Sequence, residues 1–241
     1  MMHTTKGYET HPHPTFLSDF ILGSQDGLVN VLGILLGLSA ATISLGAAPA
    51  IHRLILVAAF AALGAESISM GAVAYTSTLA RRRLYLSEVR REQDEMREVP
   101  EIEREEVRVV LKDWGYTGAD LEDMLDRICR NPRAWMEFMM AFELKLAPVK
   151  ETQARDSFVT VFLATVAGSF VPILPFLVPR ITIESALVIS VVLSAITLAF
   201  VGVYEARTTG GSPFKSATQM IIIGLAAGFA GFLIGLALGA T

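Results

Sequence analysis

Apolar side chains run through this 241-residue chain in five long, nearly charge-free windows, at about residues 20–44, 52–76, 157–178, 184–206 and 217–240. A helix of about 20 mainly apolar residues crosses a hydrocarbon core roughly 30 Å thick. The pattern therefore predicts an all-α polytopic membrane protein with five transmembrane helices. The last window, QMIIIGLAAGFAGFLIGLALGAT, is the cleanest. The third carries Pro172 and Pro175 in SFVPILPFLVP and should kink or end early, because proline removes a helix donor and clashes with the preceding turn.

Between the second and third windows the pattern reverses. Residues 81–156 hold 15 of the 20 Lys+Arg and 18 of the 24 Asp+Glu, so the membrane part is split by a polar insert. The expected organisation is a cytoplasmic N-terminal tail over 1–18, spans one and two over 19–80, a helical insert over 81–155 and spans three to five over 156–241. Within the insert, LYLSEVRREQDEMREV reads as a helix stopped by Pro100, and a second runs over about 101–113 to the glycines of DWGYTG. ADLEDMLDRICR reads as a short third helix. NPRAWMEFMMAFELKL reads as a fourth, with Asn131 as its cap and Pro132 at its first position.

Basic residues set the expected orientation. Arg81, Arg82 and Arg83 follow the second span, and Arg207 and Lys215 lie between the fourth and fifth, which puts both loops, the N-terminus and the insert in the cytoplasm. Arg53 and Arg180 fall on the other side. Small residues recur every four positions at Gly23 and Gly27, Gly33 and Gly37, Gly224 and Gly228, and Gly231, Gly235 and Gly239. That spacing allows close helix contact, either inside one subunit or at a dimer face.

Composition agrees with a membrane protein, at 52% hydrophobic and 18% charged residues. A net charge of -4 argues against a nucleic-acid partner. The single cysteine, Cys129, excludes an intrachain disulfide or a thiolate metal cluster. The opening MMHTTKGYETHPHPT lacks the order of a signal peptide, and its His3, His11 and His13 more often belong to a disordered tail than to a metal site.

The insert's acids are spaced to share faces. Glu88, Glu92, Glu95 and Glu98 step by four, three and three along one helix, and Glu103 and Glu106 repeat the spacing on the next. FMMAFE adds Met139 and Met140, with Glu143 one turn on. Helical bundles hold iron or manganese with inward carboxylates from several helices, and a Glu site joined by a thioether favours transition metals over Mg or Ca. The plainer reading is a solvated face, because Arg90, Arg91, Arg97, Arg104 and Arg108 alternate with the acids. Met139 and Met140 on their own read as core packing.

Two acids fall inside spans. Asp26 lies in FILGSQDGLVN, flanked by Gln25 and Asn30, and Glu66 lies one turn before Met70 in GAESISMGAVAY. A mid-membrane acid costs roughly 2.5–3.5 kcal/mol on insertion scales, so it faces a partner or a wet path. No Lys or Arg occurs in the apolar parts of the spans. Glu66 is left with a cation, a proton, or a polar network with Ser67 and Ser69.

These stretches together resemble the vacuolar iron transporter family, which has many prokaryotic members as well as the yeast vacuolar Fe/Mn carrier. The resemblance rests on DG in the first span, SISMG in the second, REQ-x-E before VP, NPRAWMEFMMAFE, and PxLP in the third. It implies a homodimer in the lipid bilayer that exports Fe(II), and often Mn(II), from the cytoplasm in exchange for protons, with no prosthetic group. It also implies metal ligands at Glu92, Glu95, Glu103, Glu106, Met139, Met140 and Glu143, and a membrane path through Asp26 and Met70 at the dimer interface. Glu66 is a departure, because plant members carry their second-span acid at the position of Ala62. A prokaryotic plasma membrane, or a vacuolar membrane in a eukaryote, is the expected location. A membrane-anchored di-metal oxidase is the rival enzyme reading, but it calls for Glu-x-x-His pairs, and His52 is the only histidine beyond the tail. A metal-sensing membrane protein is the third reading.

Overall fold

A computed structural model describes residues 14–42 and 49–239 of the chain. His3, His11 and His13 lie outside the described residues, as does the end of the first apolar window. Eight α-helices follow in order: α1 Pro14–Thr42, α2 Pro49–Glu98, α3 Pro100–Asp113, α4 Gly118–Cys129, α5 Pro132–Phe138, α6 Gln153–Ile173, α7 Ile183–Thr209 and α8 Pro213–Gly239. Five of them, α1, α2, α6, α7 and α8, are long and apolar enough to cross a membrane. The chain divides into two compact units. One comprises the residues up to Tyr75 with those from Arg155 onward; the other is Thr76–Ala154.

The first unit contains all the apolar windows. Val31 and Leu35 of α1, Ile55 and Ala59 of α2, Ile173, Phe176 and Ala186 pack together as a buried core. Outward-facing positions are apolar too, with Val188, Phe200 and Leu238 among the most exposed side chains, as expected for helices that meet lipid. Glycines set the helix spacing. A Cβ at Gly23 would stand 2.7 Å from the Val161 carbonyl oxygen, and one at Gly27 would stand 2.5 Å from that of Thr165, so α1 meets α6 through bare backbone. On its other side α1 meets α8, where a Cβ at Gly37 would lie 2.9 Å from the Gly231 oxygen and one at Gly231 would lie 2.5 Å from the Gly33 oxygen. The small-residue stripes of α1 and α8 are therefore used inside the subunit.

Proline ends α6 as its sequence requires. The helix stops at Ile173 and a 3₁₀ turn, Leu174–Leu177, follows. Its loosened carbonyls find side-chain partners: Ser190 Oγ donates to the Pro172 oxygen at 2.7 Å, and His52 Nε2 lies 2.8 Å from the Phe176 oxygen.

The second unit is a small helical bundle. Its first helix continues span two, because α2 runs unbroken to Glu98. No Gly or Pro interrupts LARRRLYLSEVRREQDEMRE, so nothing stops the helix before Pro100, which lacks the N–H needed to continue it. Glycines at positive φ, Gly115 at 91° and Gly118 at 58°, turn α3 into α4. Val107 and Leu111, then Leu121, Leu125 and Cys129, each one helical turn apart, close with Trp135, Phe138 and Met139 into a core. Asn131 caps α5 as its sequence predicts, its Oδ1 accepting from the amides of Arg133 at 3.1 Å and Ala134 at 3.3 Å. The predicted continuation of α5 is instead a π-helical turn, Met139–Glu143, where the Leu144 amide reaches back to the Met139 carbonyl at 3.0 Å.

Glycine at the α1–α8 contact should be indispensable where glycine facing open space is not. Gly231→Val should lower the melting temperature and the yield of monodisperse protein in detergent, in line with the roughly 1–3 kcal/mol that overpacking costs. Gly64→Ala, at a site with nothing within 4 Å of an added Cβ, should leave both unchanged. Equal behaviour of the two variants would remove the close contact as the reason for the glycine stripe.

Candidate metal centre

Acids and bases alternate along α2 and α3, but the fold sorts them into two populations. Glu103 occupies the buried stripe of α3 with Val107 and Leu111, four residues apart. Glu92 occupies the corresponding inner face of α2. Glu103 is 3% and Glu92 2% exposed, as deeply buried as the apolar core. Acids on the outer faces of the helices behave as a solvated face. Arg104 pairs with Asp126 at 2.6 Å, Arg108 with Glu122 at 3.0 Å, Arg127 with Asp123 at 2.8 Å and Arg133 with Glu137 at 2.8 Å.

Carboxylate oxygens of Glu92, Glu95 and Glu103 come within 4.8 Å of one another, a spacing that one cation can bridge. Glu106 and Glu143 join by charge, since each raises or is raised by members of this group. Burial, then Glu106 and Glu92, pushes Glu103 up to about 7. Burial, followed by Glu143, raises Glu92; burial, followed by Glu106, raises Glu143. One oxygen each of Glu92, Glu103 and Glu143 is buried without a hydrogen-bond partner. Arg91 is the cation paired with this group among the described residues, at 2.9 Å from Glu88, 3.5 Å from Glu95 and 3.8 Å from Glu92. One guanidinium cannot balance so many converging acids. The group needs protons or a divalent cation, and its donors are the hard oxygens that such cations take.

The π turn brings Glu143 to this cluster from the third side. Such wider turns re-aim the residues they contain and recur at functional sites. Met140, on the same turn, is 2% exposed. Met139 is wholly buried and packs among Val107, Leu111, Leu125 and Trp135 in the apolar core. Glu88, which the sequence already places on the face of Glu92 and Glu95, stands beside the cluster in contact with Arg91.

In the other unit, Asp26 and Asn30 stand one turn apart on α1, and Glu66 and Met70 one turn apart on α2. Asn30 Nδ2 donates to Glu66 Oε1. The Asp26 carboxyl lies beside the same Glu66 carboxyl, close enough to interact with it by charge and hydrogen bonding. The sequence reading offered serines as the polar partners of Glu66. The structure gives that place to Asn30, while Ser67 is buried with no partner for its hydroxyl and Ser69 is exposed. Asn30 follows Asp26 by four residues, which placed it on the right face but could not name its partner.

A model of the VIT family matches residues 17–236 of the chain. A protein named vacuolar iron transporter 2, from Oryza sativa subsp. japonica, is 37% identical over 215 residues, covering 89% of this chain and 84% of its own. Vacuolar iron transporter 1 of Arabidopsis thaliana is 33% identical over 235 residues, covering 96% and 90%. A protein named vacuolar iron transporter, from Plasmodium falciparum (isolate 3D7), is 26% identical over 230 residues, covering 92% and 82%.

The raised carboxyls give the metal-free insert a definite pH dependence. Glu103 holds a proton up to about 7 when folded, against an ordinary value of 4.5. Its favourable contribution is complete below pH 4.5 and is lost as pH rises through about 7, with Glu92 and Glu143 acting in the same direction. Metal-free protein should therefore melt several degrees lower at about pH 8 than at about pH 5, and Mn(II) should reverse the loss at the higher pH. Glu103→Gln should flatten the profile. A stability that rises with pH in chelator would contradict the buried, like-charged arrangement.

Proposed function

The chain belongs to the VIT family, and on that premise we propose that it is a multi-pass membrane transporter exporting Fe(II), with Mn(II) and other divalent transition metals as further substrates, from the cytoplasm in exchange for protons. The observation that carries this reading is the convergence of Glu92, Glu95 and Glu103, whose carboxylate oxygens lie within 4.8 Å of one another. A cluster of buried acids with one guanidinium for company attracts a divalent cation and releases protons when it binds one. Glu106, Met139, Met140 and Glu143 complete the proposed ligand set.

The insert is the capture domain in this reading, and the membrane unit is the conduit. Asp26 and Glu66 face each other in spans whose apolar parts contain no Lys or Arg, so a metal cation or a proton is the available counter-charge. Met70 adds a polarizable ligand one turn from Glu66. Asn30 is exposed and Glu66 partly so, although the bundle presents mainly apolar side chains around them. Polar groups on a lipid-facing surface are costly, and a second copy of the chain laid over this face would cover them and enclose the path. The basic residues Arg81, Arg82, Arg83, Arg207 and Lys215 support a cytoplasmic insert.

Purified protein in proteoliposomes should carry Fe(II) inward faster when the lumen is acidic, read with an enclosed metal-sensitive dye. Asp26→Ala should abolish this flux and leave equilibrium Mn(II) binding to the insert intact. Normal flux in that variant would take Asp26 out of the path. Glu66→Gln should weaken the response to the pH gradient; an unchanged response would return Glu66 to a structural role.

A further inference from the structure

The turn that carries Glu143 has little backbone to hold it. Residues Met139–Glu143 form a single π turn, after which the chain runs on without helix to Gln153, with Lys145 at a positive φ of 54°. Two backbone bonds close the turn, from the Leu144 amide to the Met139 oxygen at 3.0 Å and from the Leu146 amide to the Met140 oxygen at 2.8 Å. The π form is rare and occurs mostly as single turns of this kind. Relaxing to α-helical bonding would swing Glu143 about the helix axis by up to roughly 100°, the rotation of one residue. Its carboxyl would then leave Glu106, Arg91, Glu95 and Glu88, whose charges it now meets.

Met139 and Met140 fix the inner side of the turn by burial. Three rings fix the outer side. Phe142, on the turn, meets Trp114 edge to face, with centroids 4.7 Å apart and planes at 88°. Phe138, the last residue of α5, lies 5.1 Å from Phe142 and 5.6 Å from Trp114. All three separations suit favourable aromatic pairs, about 4.5–7 Å. Phe138 belongs to the buried core and anchors the other two. Trp114 is fixed from its own side, since it caps α3 with its amide on the Val110 oxygen at 3.1 Å, and the Gly115 and Tyr116 amides reach back to Lys112 at 2.9 Å and Leu111 at 3.1 Å. Trp114 and Phe142 stay 50% and 47% exposed, so neither ring fills the core; their packing is spent on each other and on Phe138.

We propose that Trp114 is a positioning residue for the metal cluster: by clasping Phe142 against Phe138 it holds the π turn closed and keeps Glu143 aimed at the cation site, without touching the metal. The effect on metal binding rests on the capture reading given above, whereas the clasp is a property of the metal-free protein. A turn already closed spares the incoming cation the cost of closing it.

The test uses full-length protein in detergent and metal-free buffer, with two readouts. One is hydrogen–deuterium exchange of the peptide spanning the Leu144 and Leu146 amides, and the other is competitive titration with Mn(II). Trp114→Ala should speed that exchange and weaken Mn(II) binding, each about tenfold, the equivalent of two lost ring pairs. Trp114→Phe should keep both within about twofold of wild type. Leu121→Ala, which opens the same core from α4, should lower the melting temperature and leave both readouts unchanged, which separates positioning from overall stability. If Trp114→Ala does not give folded protein, Phe142→Leu, which keeps apolar bulk and loses the ring, takes its place with the same expected changes. Unchanged exchange in Trp114→Ala, or an equal loss of Mn(II) affinity in Leu121→Ala, would overturn the proposal. Wild-type protein that binds no Mn(II) would overturn the capture reading, and the exchange result alone would then decide the clasp.

Discussion

Helix α1 is held by backbone on two sides, and the geometry of the membrane unit depends on that grip. Gly23 and Gly27 let it lie directly against α6, and Gly37, with Gly231 and Gly235 opposite, lets it lie directly against α8. In lipid no hydrophobic force drives helices together, so close packing and polar contacts must do it. Small residues permit that packing, and they also fix the rotation of α1 about its axis. Once the glycine stripes are committed, Asp26 and Asn30 have only one direction left, and it is the direction of Glu66 on α2. A side chain at Gly23, Gly27 or Gly37 would push α1 off the backbone it rests on.

The insert rests on a different constraint. Its helices close a core through residues spaced one turn apart, and two of those core positions carry carboxylates in place of apolar groups. Buried like charges are destabilising unless something neutralises them. The cluster at Glu92 and Glu103 therefore links the insert's stability to its protonation and to cation binding. The ion pairs on the outer faces, between Arg104 and Asp126 or Arg108 and Glu122, are exposed and carry little of that burden. They keep a domain with many acids soluble without drawing positive charge into the cluster.

Both units thus bring acids face to face and leave them short of fixed positive charge. In the insert the answer is many oxygens around one point, which can strip a divalent cation of water. In the membrane unit it is a single pair with an amide donor and a thioether one turn away, a sparser set of donors than the insert's.

The sequence alone determined the five spans, the polar insert, the early end of α6 and the capped start of α5. These depend on local causes: the length of an apolar run, a missing proline N–H, an asparagine oxygen beside two free amides. It also placed Glu92, Glu95, Glu103, Glu106 and Glu143 at spacings that let them converge. It could not say that α2 is continuous, that the turn after Phe138 widens to a π helix, or that Asn30 and not a serine meets Glu66. Nor could it separate Glu103 from Glu105, two residues along one helix, since both sit among arginines. Only the packing decided that Glu103 is buried facing Glu92 on another helix, while Glu105 stays exposed beside Arg108, three residues along its own. The reason is that the burial of an acid is set by what packs over it, and that neighbour comes from another part of the chain.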